Sequence, residues 1–429
     1  MIDATLSIIT LGCPKNQVDS ERLAAALSPY FNVKHESPIA DYVIINTCSF
    51  ILPAREESIN MILDYIDFKK QGLIKKLIVI GCMPQIHKEE LQKNLPEVDI
   101  FAKINEYDTL VKTLSENQDA KIGQERILST PNHYAYLKIA DGCDHSCSFC
   151  AIPLIRGRYR SIPIEILIDE AKTLAAKGVK ELIIIAQDTT YYGLDIYHEQ
   201  KLPELLDAVA SLNLFPWIRL LYTYPINFPL ELIDVFNTHK SIVPYIHLPL
   251  QHCDHEILIN MRRPFDEESI KQLIYQLKSK IPNLAIRTEF ITGYPIETTQ
   301  IFNKLKKFIK EMQFERIGVF DYSDEEGTFA ALLPQLKVST RIKRAQELIN
   351  IHEELSFLRN KSLIGKTIKA MVDKKNEETG IYEARSQWDA PEIDQIVFIF
   401  SKKELNPGDI VDVYIDDAGI FDLSGIYKM

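Results

Sequence analysis

The chain has 429 residues, which is enough for two or three domains with separate cores. With 46% apolar and 25% charged residues it has the composition of an ordinary globular protein, and no apolar run reaches the roughly 18 residues of a membrane span. The net charge of −11 argues against a surface built for broad contact with nucleic-acid phosphates. Seven clustered cysteines favour metal binding or catalysis over a disulfide framework.

Three similar segments open the chain. Each is a strand-like apolar run that ends in a cysteine: SIITLGC ends at Cys13, YVIINTC at Cys48 and KLIVIGC at Cys82. A polar helical pattern follows each run, so the segments predict right-handed βαβ units and a parallel sheet. Because parallel strands end at one edge of a sheet, the three thiols are expected to be neighbours in space. The alternative is three separate, buried structural thiols.

A second αβ series begins at about residue 131. Its candidate strands are AYLKIA, ELIIIAQ, WIRLLY, YIHLPL, AIRTEFI and RIGVFDY. Six units predict a partial, open (βα)6 barrel rather than a closed eight-stranded barrel of about 250 residues. A helix over 340–360 leads to a tail in which five short strands and turn signals predict a small β-barrel of OB size. The expected fold is α/β with three domains, at residues 1–130, 131–360 and 361–429.

The stretch IADGCDHSCSFCAIP places Cys143, Cys147 and Cys150 in a CxxxCxxC pattern. A structural zinc site has four ligands and usually shows two CxxC pairs. No second pair follows here, and His145, which lies between two of the cysteines, is awkwardly placed as a fourth ligand. A cubane iron–sulfur cluster fits better, because three thiolates leave one iron open for a cofactor.

CxxxCxxC with an aromatic residue before the last cysteine, here Phe149, resembles the radical S-adenosylmethionine (SAM) superfamily, in which SAM occupies the open iron. LGCPKNQVDSE, INTCSF and IGCMPQ resemble the N-terminal domain of the methylthiotransferases, and the last barrel is similar to their TRAM domain. The resemblance implies SAM and two 4Fe-4S clusters as cofactors. Their ligands would be Cys13, Cys48 and Cys82 for the first cluster, and Cys143, Cys147 and Cys150 for the second, SAM-binding cluster.

Four further stretches bear on the substrate. AIPLIRG, AQDTTYYG, YSDEEGT and DAPEID resemble the branch that modifies an aspartate of small-subunit ribosomal protein twelve, and not the branch that modifies adenosine in tRNA. In GYPIET, Ile296 stands where the family usually has glycine, and a β-branched residue resists positive φ, which predicts a differently shaped loop. Residues 363–429 carry eight Lys and Arg against thirteen Asp and Glu, a net charge of −5 that suits a basic ribosomal protein better than RNA. An ordinary solvated acidic surface is the alternative.

The resemblance implies an enzyme that replaces a C–H bond at the aspartate β-carbon by C–S–CH₃. No side chain is basic enough to remove that hydrogen as a proton, so the chemistry needs a radical cofactor. One electron from the second cluster would cleave SAM to methionine and a 5′-deoxyadenosyl radical, while the first cluster holds the sulfur that a second SAM methylates. A one-electron reductant and a sulfur donor are implied as partners, in the cytoplasm, with no membrane and no direct nucleic-acid substrate. The competing functions are a tRNA adenosine methylthiotransferase and a non-enzymatic iron–sulfur electron carrier.

Beyond the cluster ligands no catalytic side chain is assigned. The candidate SAM-binding residues are Phe149, Gln187, Asp188 and Arg287. Gln187 and Asp188 follow a predicted strand at the barrel mouth, where a hydrogen-bonded loop role is the alternative. Arg287 is expected to pair with the SAM carboxylate, and an ion pair within the protein is the alternative.

Two further features have plain structural interpretations. Arg156, Arg158 and Arg160 alternate after the cysteine motif and are interpreted as a solvated face. Cys253 has no partner at a ligand spacing and is interpreted as a packed thiol.

Overall fold

The computed structural model describes residues 4–428. Its N-terminal part is a five-stranded parallel sheet in the order β2-β1-β3-β4-β5, as the repeated segments predicted. The strands are β1 (Thr5–Thr10), β2 (Asn32–His35), β3 (Tyr42–Thr47), β4 (Lys76–Gly81) and β5 (Ile100–Ala102). The helices around the sheet are α1 (Pro14–Leu27), α2 (Leu52–Lys70), α3 (Cys82–Asn94) and α4 (Tyr107–Ser115), with a short 3₁₀ turn at Ile104–Glu106.

Branched aliphatic side chains fill both faces of this sheet. Ile8 and Ile44 pack into the apolar core on one face, and their neighbours Ile9 and Ile45 pack into the core on the other. Successive side chains of a strand point to opposite faces, so a sheet that helices cover on both sides requires continuous apolar runs. This regular packing continues to the strand ends, and the cysteines emerge there on one side of the fold.

The central part is a six-stranded parallel sheet in the order β13-β12-β11-β10-β9-β6. Its strands are β6 (Tyr134–Lys138), β9 (Glu181–Ile185), β10 (Trp217–Leu220), β11 (Ile242–His247), β12 (Ala285–Thr292) and β13 (Arg316–Asp321). The predicted open barrel is confirmed, because the edge strands β6 and β13 do not pair with each other within residues 4–428. A small antiparallel ribbon of β7 (Ala140–Asp141) and β8 (Arg160–Ser161) flanks the cysteine loop.

Helices pack against the outer face of the six-stranded sheet and form the largest apolar core with it. They are α6 (Ile164–Ala176), α7 (Leu202–Ser211), α8 (Leu232–Thr238), α9 (His255–Asn260), α10 (Glu267–Lys280), α11 (Thr299–Met312) and α12 (Val338–Lys361). The short α5 (Ile152–Arg156) lies outside this core, and its Ile155 packs in a small cluster with Cys82. A 3₁₀ turn lies at Ala330–Leu332. The last helix, α12, contains the predicted helix over 340–360 and continues toward the C-terminal part. No helix in the described range 4–428 is long and apolar enough to cross a membrane.

The C-terminal part is a closed five-stranded barrel, as predicted, in the order β14-β15-β16-β18-β17. Its strands are β14 (Thr367–Lys375), β15 (Tyr382–Ser386), β16 (Ile396–Phe400), β17 (Ile410–Ala418) and β18 (Asp422–Tyr427). Residues at alternate positions, such as Val411, Val413 and Ile415, fill the interior. The hydroxyl of Ser356 in α12 donates to the carbonyl of Ile420 at 2.7 Å and ties the barrel to the helix.

This barrel closes the end of the six-stranded sheet at which the parallel strands begin. Met371 and Ala390 of the barrel share an apolar cluster with Trp217 and Tyr245 of the sheet. Three buried ion pairs join the two parts: Arg385 with Glu181 at 2.6 Å, Arg316 with Asp389 at 2.5 Å, and Arg287 with Asp394 at 2.6 Å. Asp389 and Asp394 belong to the DAPEID stretch, so this stretch anchors the barrel.

The GYPIET turn accommodates its isoleucine. The positive φ of this turn, +73°, belongs to Gly293, and Ile296 does not have a positive φ. Ile296 packs against the apolar cluster that contains Tyr294 and Tyr322. The β-branched side chain is therefore compatible with the backbone at this position.

Candidate functional site

The first cysteine triad follows three adjacent strands. Cys48 directly follows β3, Cys82 directly follows β4 and begins α3, and Cys13 precedes the first residue of α1. Gly12 has φ +89°, and a Cβ atom at this position would lie 2.7 Å from Cβ and 2.9 Å from Sγ of Cys48. Only glycine allows the chain that carries Cys13 to approach Cys48 so closely.

The protonation of this triad is set by burial and by nearby cations. Burial raises the pKa of Cys48, and it raises the pKa of Cys82 to about 12. Burial also acts to raise the pKa of Cys13, but the positive charges of Lys15 and Arg156 outweigh it and the pKa is lowered. When such a thiol binds a metal it loses its proton, and the metal takes the place of the proton on sulfur. The triad therefore has donor chemistry that suits a thiolate-ligated metal centre.

The second triad lies on the loop between β7 and α5. The amide of Cys143 donates to the carbonyl of Gly157 at 3.1 Å, and the amide of Cys150 donates to Cys147 at 3.2 Å. Burial raises the pKa values of Cys143 and Cys150 to about 12. Nη1 of Arg263 lies 3.8 Å from Sγ of Cys147 and supplies a positive charge beside the thiols. The loop thus presents three thiols in a fixed backbone conformation.

His145 is held away from a role as a fourth ligand. Its Nε2 atom lies 2.6 Å from Oδ2 of Asp188, and its ring stacks on Tyr224 with the ring centroids 4.0 Å apart. Among residues 4–428 no group of three or more His, Cys, Asp and Glu side chains could hold a single metal ion.

Asp188 organises the barrel mouth. Besides His145, it accepts hydrogen bonds from the amide of Thr190 at 2.8 Å and the hydroxyl of Thr190 at 2.6 Å. Its carbonyl accepts a hydrogen bond from Tyr159 at 2.8 Å. Sequence reasoning singled out Asp188 for its place after a strand, but missed its pairing with His145, since the two are far apart in the chain. Contact of Asp188 with SAM stays a prediction.

The other three candidate SAM-binding residues lie in different places. Phe149 packs, partly buried, against the apolar cluster of Tyr294 and Tyr322, and Gln187 is half-buried just after β9. Arg287 donates from Nη1 to Asp394 at 2.6 Å and to the carbonyl of Ile393 at 3.2 Å, at the end of the sheet closed by the barrel. This ion pair is the alternative that the sequence left open for Arg287. Contact of Phe149, Gln187 and Arg287 with SAM stays a prediction.

The two triads adjoin each other. Cys82 packs in a small apolar cluster with Ala151 and Ile155, and Ala151 is the residue after Cys150. The region between Cys82, which follows β4, and the cysteine loop of the central part is called the intertriad gap below.

Arg156 connects the two sides of this gap. Its Nη1 atom lies 2.7 Å from Asp19 of α1 and 3.2 Å from Asp141, and its Nη2 atom lies 3.9 Å from Sγ of Cys82. The interpretation of Arg156 as part of a solvated face is wrong, because the residue is 4% exposed and its partners come from two domains. Arg158 and Arg160 are exposed as expected. Cys253 is fully buried in the main core, as expected of a packed thiol.

Three family models match parts of the chain. Residues 5–103 match the model described as "Uncharacterized protein family UPF0004", residues 137–309 match the Radical SAM superfamily, and residues 364–427 match the TRAM domain. The second match covers the CxxxCxxC loop, the end of β6 and the four strands β9 to β12 of the central sheet. The third covers the closed barrel.

Two solved structures share the fold over much of the chain. The radical S-adenosylmethionine methyltransferase TsrM from Kitasatospora setae has a TM-score of 0.53 and 14% identity, over 74% of this chain and 75% of that chain. The cobalamin-dependent S-adenosylmethionine radical enzyme OxsB has a TM-score of 0.52 and 11% identity, over 88% of this chain and 64% of that chain. Identities this low show a likeness of fold.

Curated relatives are similar over nearly the whole chain. The ribosomal protein uS12 methylthiotransferase RimO of a Thermoanaerobacter species is 44% identical, over 98% of this chain and 99% of its own length. The protein of the same name from Cytophaga hutchinsonii is 43% identical, over 98% of this chain and 97% of its own length. Similarity at this level extends through all three parts of the fold. The chain belongs to the RimO family of ribosomal protein uS12 methylthiotransferases.

Proposed function

We propose that this radical SAM methylthiotransferase transfers a methylthio group to the β-carbon of an aspartate in uS12, the small-subunit ribosomal protein twelve. The observation that carries the proposal is the proximity of the two cysteine triads, shown by the apolar cluster that Cys82 shares with Ala151 and Ile155. An enzyme that breaks a C–H bond and then forms a C–S bond at the same carbon needs its two reagents close together. The near-full-length similarity to proteins named for this activity supports the same assignment.

The cofactors of the family are two 4Fe-4S clusters and SAM. We assign the first cluster to Cys13, Cys48 and Cys82, and the second to Cys143, Cys147 and Cys150. Three thiolates hold a cubane cluster and leave one iron free for another ligand. The fit rests on thiols that are buried, at Cys48 and Cys82, or half-buried, at the other four positions, and on the cations beside them. When bound, these groups supply the one-electron chemistry and the sulfur that no side chain can provide.

The protein's own residues position this chemistry. Asp188 and Tyr224 hold His145, and with it the loop of the second triad, in one orientation. Arg156 binds Asp19 of the N-terminal part and Asp141 of the central part, and so fixes the position of the first triad relative to the second. The positive charges of Arg156 and Arg263 offset part of the rise that burial causes in the pKa values of Cys82 and Cys150.

The charge of the C-terminal barrel supports a basic protein as the partner. Asp412, Asp416 and Asp417 are exposed on or near β17, in a region with a net charge of −5. Complementary charge speeds encounter and orients a partner more than it raises affinity. A one-electron reductant and a sulfur donor complete the partners of the proposed cytoplasmic reaction.

The experiment that tests the proposal offers the reconstituted, reduced enzyme both uS12 and tRNA under anaerobic conditions with SAM. Mass spectrometry should find a methylthio group on an aspartate of uS12 and none on tRNA. Methylthiolated adenosine in place of modified uS12 would show that the substrate assignment is wrong.

A further inference from the structure

We propose that Lys15 binds the side-chain carboxylate of the target aspartate and so selects an acidic side chain as the substrate. This inference rests on the proposed function and adds a specificity-determining residue to it. Lys15 lies in the first turn of α1, two residues after Cys13, and reaches from the N-terminal sheet toward the strand ends of the central sheet.

Lys15 is buried and forms no ion pair with a carboxylate among residues 4–428. The residue is 5% exposed, and no carboxylate oxygen of residues 4–428 lies within the 4.0 Å of an ion pair from its Nζ atom. Its described contact is with the face of Tyr222, whose ring centroid lies 3.6 Å from Nζ. A buried ammonium is costly unless an anion pairs with it, and a cation–π contact offsets only part of that cost. The surroundings of Lys15 are thus suited to an anion that arrives with the substrate.

Tyr222, whose ring contacts Lys15, has a strained backbone conformation. Tyr222 has φ +58°, which is uncommon for a bulky residue and costs free energy. The amide and the hydroxyl of Thr189 hold this conformation by donating to the carbonyl of Tyr222 at 2.8 and 3.1 Å. Strain of this kind persists where the surrounding structure maintains it, and here it turns the ring toward Lys15.

The acidic group across the intertriad gap is already engaged. Oε1 of Glu289 in β12 lies 3.1 Å from Nε2 of His247, within hydrogen-bonding distance. His247 also lies against Tyr222, with ring centroids 5.0 Å apart. Glu289 is therefore paired with His247, while the ammonium of Lys15 is available to a substrate.

Binding at this point would place the reacting carbon. In aspartate the β-carbon is bonded directly to the carboxylate carbon, so an ammonium that fixes the carboxylate also fixes the β-carbon to within one bond. Lys15 stands beside the first triad, from which the sulfur is proposed to come. The adenine base is neutral, so an ammonium beside the reacting position favours a side chain that carries a carboxylate over such a base.

The test measures binding with reconstituted enzyme in the absence of reductant, so that no turnover occurs. The probes are purified uS12 and a uS12 variant in which asparagine replaces the target aspartate. The unmutated enzyme should bind the aspartate form about tenfold or more tightly, as expected for a charge-assisted hydrogen bond. Lys15→Met should bind both forms within about twofold of each other, and Lys15→Arg should keep part of the preference.

The matched control is Lys75→Met, which removes a lysine whose side chain is 74% exposed and should keep the full preference. A preference for aspartate that survives in Lys15→Met would overturn the proposal. So would equal binding of the two uS12 forms by the unmutated enzyme, a result that does not depend on the folding of any variant. Failure of the proposed function is distinguishable, because it appears as absence of methylthio product on uS12 whatever the binding preference.

Discussion

Arg287 of the central sheet and Asp394 of the C-terminal barrel form an ion pair of 2.6 Å that is removed from solvent. The second carboxylate oxygen of Asp394 accepts from Tyr245 at 2.7 Å and from the amide of Ala390 at 2.9 Å. Burial alone would raise the pKa of Asp394, but Arg287 and Arg316 outweigh it and hold the pKa below its usual value. One carboxylate thus satisfies donors from two domains.

The first prediction follows from this carboxylate. Asp394→Ala should lower the free energy of unfolding by about 3–5 kcal/mol, because it leaves the buried guanidinium of Arg287 without its partner. Urea denaturation measures the change. The matched control is Asp412→Ala, whose side chain is 51% exposed and pairs with Lys369, so its cost should stay below about 1 kcal/mol. Equal costs for the two variants would contradict a structural role of the buried pair.

The second prediction concerns pH. Burial, together with the positive charges of Arg316 and Arg287, lowers the pKa of His352 to about 4. In the unfolded chain the pKa is about 6.5, so on acidification the unfolded state takes up the proton first. The free energy of unfolding is therefore unaffected by this group above about pH 6.5. It decreases as the pH falls toward 4, because His352 binds a proton less readily in the folded than in the unfolded state. Between pH 7 and pH 5 this loss amounts to about 2 kcal/mol.

His352→Gln cannot take up the proton, so its free energy of unfolding should fall less between pH 7 and pH 5 than that of the unmutated protein, by about 2 kcal/mol. The comparison uses urea denaturation at both pH values. His255→Gln, at an exposed position of α9, is the control and should keep the original pH dependence. An unchanged dependence in His352→Gln would show that other groups account for the acid sensitivity.

The third prediction concerns iron content. Anaerobically reconstituted protein should contain about eight irons, and replacement of Cys143, Cys147 and Cys150 by alanine should leave about four, since each triad holds its own cluster. Iron analysis and Mössbauer spectroscopy make the measurement. Cys253→Ala should retain all the iron, because Cys253 is buried in the core away from both triads. Loss of all iron from a folded triple variant would rule out independent clusters.

The fourth prediction separates the two triads by function. With Cys13, Cys48 and Cys82 replaced by alanine, the reduced enzyme should still cleave SAM to 5′-deoxyadenosine but form no methylthio product. The reason is that the proposed sulfur-bearing position is lost while the SAM-binding position remains. Chromatography of the nucleoside and mass spectrometry of uS12 give the two readings. Insertion of sulfur by this variant would show that the proposed division of labour is wrong.

The fifth prediction concerns capture of uS12. Conversion of Asp412, Asp416 and Asp417 to lysine should slow association and flatten its salt dependence, because the exposed carboxylates attract a basic partner. Stopped-flow association at several salt concentrations measures the effect. The control makes the same change of charge elsewhere, at three exposed acidic residues of the N-terminal part: Glu116, Asp119 and Glu125. Equal slowing by both sets would indicate that net charge alone is responsible.

Local pattern was sufficient to predict much of this fold. The runs of Ile and Val that end at Cys48 and Cys82 predicted adjacent parallel strands, because period and apolar content reflect burial on both faces. The six-stranded sheet and the closed barrel were predicted for the same reason. The assignment of the six cysteines to clusters and the domain boundaries at residues 130 and 360 stay predictions.

Contacts between distant parts of the chain were not predictable. Arg156 follows the cysteine loop in a stretch with charged and small residues, and its burial depends on Asp19, which is far away in sequence. The pairing of Arg287 with Asp394 likewise leaves no periodic signal. Nothing in the local sequence indicates that α1 places Nζ of Lys15 over the ring of Tyr222. Tertiary packing, and not local propensity, decides the surroundings of these charges.

The barrel that seals the starting end of the central sheet has a consequence for access to the sheet interior. Met371 and Ala390 pack against Trp217 and Tyr245 and cover that end of the sheet. Reagents therefore reach the sheet interior from the cysteine side or between the unpaired edge strands β6 and β13, and not through the end that the C-terminal barrel covers.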